Sequence, residues 1–116
     1  MRLWLKRVYE PRTETDGTRI LVDRLWPRGV TKDSIDLWLK EIAPSGDLRR
    51  QFHGQPELWD AFCAAYAAEL GGAPARTALG ILNQQLKAGP VTLLYAARDE
   101  EHNNAIALKL WLESRG

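Results

Sequence analysis

Runs of apolar residues separated by turn residues predict three strands along the chain. Leucine, valine, isoleucine and aromatic residues cluster at 3–9, 19–26 and 91–97, and Pro, Gly and Asp bound these clusters. The second run contains Ile20, Leu21 and Val22 in succession, without alternation of apolar and polar positions. Such a run is typical of a strand that is covered on both faces.

Apolar residues three or four positions apart predict helices over much of the remaining chain. The first expected helix contains Ile35, Trp38, Leu39 and Ile42, and a short second helix runs from Ser45 to about Phe52. The third begins near Pro56 and directs Leu58, Phe62, Tyr66 and Leu70 inward, with Cys63 beside them. The last two run from Pro74 to Gly89 and from about Glu101 to Arg115.

The resulting order of elements is β-β-α-α-α-α-β-α. The long helical connection between the second and third strands allows them to run parallel, whereas the loop at 10–18 leaves the direction of the first strand open. The predicted fold class is α/β, a compact layered domain with a small, mainly parallel sheet covered by helices. Residues 1–116 are expected to form a single domain.

Charge and composition narrow the classes of function. Lys and Arg number 16 against 15 Asp and Glu, which argues against a bulk electrostatic nucleic-acid binder. A modest basic excess in the first 50 residues still permits a local anion site. The single cysteine, Cys63, excludes an intrachain disulfide, and neither a signal peptide nor a membrane span is predicted. A cytoplasmic location is therefore expected, while composition leaves the oligomeric state open.

Polar residues follow the apolar cores of the second and third predicted strands. If the strands are parallel, both polar segments lie at the same edge of the sheet, where open α/β sheets bind ligands. The candidate ligand-binding residues at this edge are Arg24, Trp26, Arg28, Arg98, His102 and Asn103.

Asp23 and Arg24 lie next to each other at the end of an apolar strand, so their side chains point to opposite faces. Either they form salt bridges that fix the sheet to a helix, or they form the floor of a site. Arg24, Arg28 and Arg98 together match an anionic group, and the start of the last helix would add backbone N–H groups. Asp99 and Glu100 are expected mainly to cap that helix.

No metal site is predicted. His53 and His102 share no ligand spacing, and Cys63 lies in an Ala-rich apolar segment. No phosphate-binding loop, dinucleotide fingerprint or serine-hydrolase motif occurs, so the sequence identifies no cofactor.

Three functions remain open. The first is a site for a small anionic ligand, either binding or enzymatic, with Asp23 as the leading acid or base and Tyr95 and Asp99 as further catalytic candidates. The second is a regulatory or nucleic-acid-associated surface near the first strand, built from Arg2, Lys6, Arg7, Arg12 and Arg19. The third is a protein-interaction module that exposes tryptophans such as Trp4.

Five segments carry a resemblance to a known family. They read KRVYEP at 6–11, DGTRILVDRLWPRG at 16–29, LWLKEIAPS at 37–45, FHG at 52–54 and VTLLYAARDEEHNNA at 91–105. In this order they resemble the bacterial YeaO-like proteins of domain-of-unknown-function family 488. The resemblance implies an α/β domain without an established activity.

The chain departs from the family pattern after its last strand. Tyr95 stands where longer relatives often have Cys, and Asn103 occupies another such position. Asn104 stands where YeaO-like proteins typically have His. The resemblance therefore puts histidine-based chemistry at this segment in doubt.

Overall fold

A four-stranded parallel sheet forms the centre of the computed structural model, which describes residues 2–115. The strands lie in the order β1-β4-β2-β3, and every neighbouring pair is parallel. Their bounds are Leu3–Arg7 for β1, Thr18–Leu21 for β2, Leu37–Trp38 for β3 and Val91–Tyr95 for β4. The predicted α/β class and the parallel arrangement of β2 and β4 are confirmed, and β1 is parallel as well.

Strand β4 lies between β1 and β2, and all five of its residues are buried. In the register, Leu93 lies opposite Leu5 on one side and Ile20 on the other. A strand paired on both edges and buried on both faces needs no polar alternation, which explains why its sequence, VTLLY, is apolar apart from Thr92.

Four α-helices follow the predicted pattern in most of the chain. They are α1 at Gly46–Phe52, α2 at Trp59–Leu70, α3 at Ala73–Ala88 and α4 at Asn104–Ser114. Ser45 caps α1 by accepting a hydrogen bond from the backbone N–H of Leu48, as its sequence position predicts. The chain turns through a short 3-10 segment at Pro56–Leu58 before α2 begins.

The predicted helix around 35–42 is wrong. This segment forms the two-residue strand β3, which pairs with Ile20 and Leu21 of β2, and then a 3-10 turn at Lys40–Ile42. Ile35 packs in one core cluster, and Leu39 packs in the other. Consecutive residues of an extended chain point to opposite faces of a sheet: Leu37 packs with the cluster of Leu39, and Trp38 packs with the cluster of Ile35. The helical spacing of apolar residues here therefore reflects burial on both faces.

The two faces of the sheet are covered differently. All four helices contribute residues to the larger core cluster, which includes Ile20, Leu93 and Leu108. The smaller cluster, around Leu21 and Leu94, contains strand and loop residues without any from a helix. The sheet is therefore covered by helices on one face and by connecting segments on the other.

The predicted inward face of α2 is only half confirmed. Tyr66 and Leu70 are buried, with 1% and 2% of their surface exposed. Phe62 and Cys63 are half-buried against the core, and Leu58, which precedes α2, is exposed. The first turn of α2 thus leaves the core and becomes available to line a surface feature.

Two predicted boundaries also shift, and both shifts affect the site. Strand β2 ends at Leu21, so 22–30 is a loop, and helix α4 begins at Asn104 because a turn occupies 99–103. Both loops start at the carboxyl ends of parallel strands. No helix within the described residues 2–115 is long and apolar enough to cross a membrane.

Candidate functional site

A cleft of about 960 Å³ lies beyond the carboxyl ends of β2 and β4. Most of its lining comes from three parts of the chain: the loop after β2, the loop after β4, and the region from α1 to the start of α2. Tyr9, which follows β1, also lines it. Because the two strands are parallel, their following loops emerge at the same edge, as the sequence predicts. All the predicted site residues line this cleft except Tyr95.

Five arginines line the cleft: Arg24, Arg28, Arg49, Arg50 and Arg98. The guanidinium of Arg24 donates to the carbonyl oxygens of Ala43 and Pro44, each at 3.2 Å, and Arg50 pairs with Asp47. Within residues 2–115, the side chains of the other three arginines form no hydrogen bond or ion pair. Their charge is consequently available to a ligand.

Asp23 is held at the end of β2 by neutral donors. Its carboxylate accepts hydrogen bonds from the backbone N–H of Ala96 at 2.9 Å and from the side-chain amide of Asn104 at 3.0 Å. Burial raises the pKa of Asp23 above its usual value. These hydrogen bonds and the more distant charge of Arg49 lower the pKa, but they do not outweigh burial. Among the described residues Asp23 has no ion-pair partner.

The backbone around Asp23 is fixed as well. The indole N–H of Trp38 donates to the Asp23 carbonyl oxygen at 2.7 Å, and the Asn104 amide also donates to the Val22 carbonyl oxygen at 3.0 Å. The predicted alternative of salt bridges at Asp23 and Arg24 is therefore wrong within the described residues. Hydrogen bonds to backbone and amide groups fix both side chains, and both line the cleft.

The second predicted acid, Asp99, organises the turn before α4. One carboxylate oxygen accepts from the backbone N–H groups of Glu101 and His102, both at 2.9 Å, and the other lies 3.2 Å from the His102 ring nitrogen. The backbone hydrogen bonds lower the pKa of Asp99. Asp99 thus caps the turn before α4 and not the helix itself, so the expectation that Asp99 caps the last helix is wrong.

Asn103 caps helix α4 itself. Its side-chain oxygen accepts from the backbone N–H of Ile106 at 2.9 Å, and its amide donates to the Asp99 carbonyl oxygen at 3.0 Å. Asp99 and Asn103 therefore accept hydrogen bonds from backbone N–H groups that were expected to bind an anion. The expected contribution of this helix start to anion binding is reduced accordingly.

Tyr95 lies at the end of β4 in the core, with 4% of its surface exposed. Burial raises the pKa of its phenol above the usual value. Because its side chain does not line the cleft, the geometry does not bring Tyr95 together with the other candidate catalytic residues.

Aromatic rings form one wall of the cleft, which the apolar pattern of the sequence does not predict. Trp59 stacks on Phe62 with ring centroids 5.7 Å apart and planes inclined by 22°. His102 meets Trp59 edge to face at 5.3 Å, and Phe52 meets Phe62 at 5.9 Å. The sequence signal for this wall is the pair of aromatic residues, Trp59 and Phe62, at the start of α2, where the helix leaves the core.

Trp26 and Arg28 line the cleft from the loop after β2. The Trp26 indole donates to the Val30 carbonyl oxygen at 2.8 Å and packs edge to face against Trp38 at 5.5 Å. The Arg28 carbonyl oxygen accepts from the Tyr9 hydroxyl at 3.2 Å. These contacts hold the loop after β2 while 37% of the Trp26 surface stays exposed.

No group of three or more His, Cys, Asp or Glu side chains within residues 2–115 is arranged to hold a metal ion. His53 and His102 both line the cleft. Cys63, which is half-buried in α2, lies outside the lining, and burial raises the pKa of its thiol. Because its pKa is raised, the half-buried Cys63 thiol is a packing group rather than a reactive one.

The alternative basic surface near β1 is largely occupied by internal contacts. Arg19 is fully buried and pairs with Asp16 at 2.8 Å, and Lys6 pairs with the other oxygen of Asp16 at 2.7 Å. Arg12 forms a two-pronged pair with Asp36, and Arg7 donates to backbone carbonyl oxygens. These contacts fix loops to the sheet, although Arg12, like Arg2, remains exposed.

The expected exposed tryptophan is present on the outer strand of the sheet. Trp4 lies on β1 with 51% of its surface exposed. A single exposed aromatic residue is common on protein surfaces and identifies no partner.

Comparison with known proteins gives one consistent relationship. The sequence profile described as "Inactive DUF488-N3 subclade" matches residues 2–115. The uncharacterized protein YeaO of Escherichia coli is 45% identical over 116 residues, covering 98% of this chain and 99% of the relative. The uncharacterized protein Rv3073c of Mycobacterium tuberculosis is 39% identical, covering 98% of this chain and 96% of the relative. No solved structure matches the chain significantly.

Proposed function

The chain belongs to the inactive DUF488-N3 subclade, and from this premise we propose that it binds a small anionic ligand in its cleft without transforming it. A family described as inactive directs attention to recognition rather than to catalysis. Membership also accords with bacterial relatives along nearly the whole chain. We place the protein in the bacterial cytoplasm.

One observation supports anion binding above all. Arg28, Arg49 and Arg98 line a single cleft and have no side-chain partner within residues 2–115, whereas the acidic side chains of that lining are already hydrogen-bonded. Guanidinium groups match phosphate and carboxylate groups by paired hydrogen bonds. A cleft at the carboxyl edge of a parallel sheet is also the usual ligand site of such folds.

The geometry around the candidate catalytic residues favours binding over catalysis. Asp99 is engaged in its turn, and Tyr95 is buried in the core. Asp23 is left as the acid in the cleft, without a histidine or another carboxylate among its hydrogen-bond partners. General acid–base catalysis needs groups positioned on the reacting atoms, and one fixed carboxylate does not provide such a pair.

Thermal unfolding with inorganic phosphate, pyrophosphate and sulfate tests the proposal. A ligand that binds only the folded state stabilises it by mass action, so the melting temperature rises with the logarithm of the ligand concentration once that concentration exceeds Kd. We expect the shift in the parent protein to shrink in Arg49→Gln and Arg98→Gln. Arg76→Gln, which alters an exposed arginine of α3 away from the cleft, should retain it.

Two outcomes would overturn the proposal. The first is that none of the three anions shifts the melting temperature of the parent protein beyond a chloride control of equal ionic strength. The second is that Arg76→Gln loses the shift as completely as Arg98→Gln, which would indicate a general charge effect.

A further inference from the structure

Building on the proposed anion site, we infer that the cleft takes a nucleoside monophosphate whose base carries an amino group. Three features of the lining fit three parts of such a ligand: the arginines fit the phosphate, the aromatic wall fits the base, and Asp23 fits a hydrogen-bond donor on the base. The volume of about 960 Å³ lies within the range of small-molecule sites.

The aromatic wall is preorganised for a planar ring. Trp59 is held from two directions, by stacking on Phe62 and by edge contact with His102. It remains half-buried, so part of its indole faces the cleft. Stacking of a base on a fixed aromatic side chain adds affinity and tolerates any base, because every base has a π face.

Asp23 favours a ligand that brings a hydrogen-bond donor in addition to its anionic group. Its carboxylate has about four acceptor positions, and the described structure fills one on each oxygen, from Ala96 and Asn104. A carboxylate in an arginine-lined cleft weakens the binding of a bare phosphate, and an N–H donor on the ligand offsets part of that repulsion. The exocyclic amine of adenine or cytosine is a donor that Asp and Glu side chains accept.

An aromatic amino acid offers the same three chemical parts, with a carboxylate, an ammonium group and a ring. Three arginines without partners in the described residues fit a phosphate dianion better than a single carboxylate, because each phosphate oxygen accepts its own hydrogen bonds. Tryptophan is therefore the competing ligand in the test.

A series of ligands separates the three features. Ribose 5-phosphate engages the arginines alone, purine riboside 5′-monophosphate adds the ring, and adenosine 5′-monophosphate adds the amino group. We expect Kd, measured by calorimetry, to fall about tenfold at the ring step, in line with measured stacking contributions. A further fall of at least about tenfold is expected at the amino step, as for one hydrogen bond to a charged acceptor.

Two variants assign the ring step to its residue. Trp59→Leu should bring the Kd of purine riboside 5′-monophosphate close to that of ribose 5-phosphate, with the latter unchanged. Trp4→Leu, on the outer strand and outside the cleft, should leave all three values as in the parent protein. The urea midpoint of both variants is measured first, to show that each is as stable as the parent protein. The ligand series on the parent protein tests the inference even if a variant fails to fold.

The outcomes distinguish this inference from the anion site on which it rests. If inorganic phosphate and all three ligands fail to bind, the anion site itself is wrong. If phosphate and ribose 5-phosphate bind but either the ring or the amino group adds no affinity, the anion site stands and the nucleotide assignment is overturned. Tighter binding of L-tryptophan than of adenosine 5′-monophosphate also overturns it.

Discussion

The side-chain amide of Asn104 donates a hydrogen bond to the Asp23 carboxylate at 3.0 Å and a second to the Val22 carbonyl oxygen at 3.0 Å. This contact joins the end of β2 to the first residue of α4, across 81 positions of sequence. It supplies a neutral donor to an acid that has no ion-pair partner within residues 2–115. Asn104 therefore determines how the floor of the cleft is held.

Removing that amide should destabilise the fold through Asp23. In Asn104→Ala, the partly buried carboxylate and the Val22 carbonyl oxygen each lose a donor, and we expect a loss of about 1–3 kcal/mol in the free energy of unfolding. Urea unfolding at neutral pH measures it. Asn83→Ala, on the exposed surface of α3, is the matched control and should change stability by less than about 0.5 kcal/mol. An equal effect of the two substitutions would contradict the role assigned to Asn104.

The buried cluster around Asp16 predicts sensitivity to acid. Burial alone would raise the pKa of Asp16, but hydrogen bonds from Lys6, Arg19 and Thr13 outweigh it and hold the pKa well below its usual value. A carboxyl group with a lowered pKa in the folded state stabilises the fold above its unfolded pKa of 3.8. That stabilisation is lost as the pH falls through the folded value.

Lys6→Met tests this pH dependence, because it removes one donor from Asp16 and leaves the buried Arg19 partner in place. We expect a loss of about 1–3 kcal/mol at neutral pH and a shallower fall of stability toward low pH than in the parent protein. Arg50→Gln removes an exposed pair with Asp47 and should reproduce the parent profile. Parallel profiles for Lys6→Met and the parent protein would show that Lys6 does not lower the pKa of Asp16.

Burial along α2 predicts a ranking of substitutions. The Tyr66 hydroxyl donates to the Ile42 carbonyl oxygen at 2.6 Å from a fully buried position, whereas Phe62 is half-buried beside the cleft. We expect Tyr66→Phe to cost about 1–2 kcal/mol and Tyr66→Ala to cost at least 3 kcal/mol. Phe62→Ala should cost less than Tyr66→Ala in urea unfolding. The reverse order would show that the first turns of α2 belong to the core.

The sequence predicts the strands and the edge of the sheet that carries the cleft, because both follow from local signals. Continuous apolar runs define β2 and β4, and a connection long enough for several helices allows a parallel pair. Once the strands are parallel, the polar residues that follow them must share an edge. Asp23 and Arg98 therefore come together without any knowledge of side-chain contacts.

What the sequence does not predict depends on tertiary contacts. The segment that contains Ile35 and Leu39 has helical spacing, but pairing with β2 makes it extended. Arg49 and Trp59 enter the cleft from α1 and α2, which lie far from either strand end in sequence. The role of Asn104 as a donor to Asp23 is likewise visible only when the start of α4 is placed against β2.

The effect of substituting Arg98 on the free energy of unfolding distinguishes a structural role of this residue from a ligand-binding role. If Arg98 compensated a buried carboxylate, Arg98→Ala would leave that charge unpaired and cost several kcal/mol. Its guanidinium is exposed, however, and within residues 2–115 it contacts no acidic group, while Ala96 and Asn104 serve Asp23. We therefore expect Arg98→Ala to change the free energy of unfolding by less than about 0.5 kcal/mol. The same substitution should weaken pyrophosphate binding at least about fivefold, because it removes one charge-assisted hydrogen bond. Urea unfolding and calorimetry on the same sample measure both quantities. A large loss of stability with unchanged binding would assign Arg98 to the fold instead of the ligand.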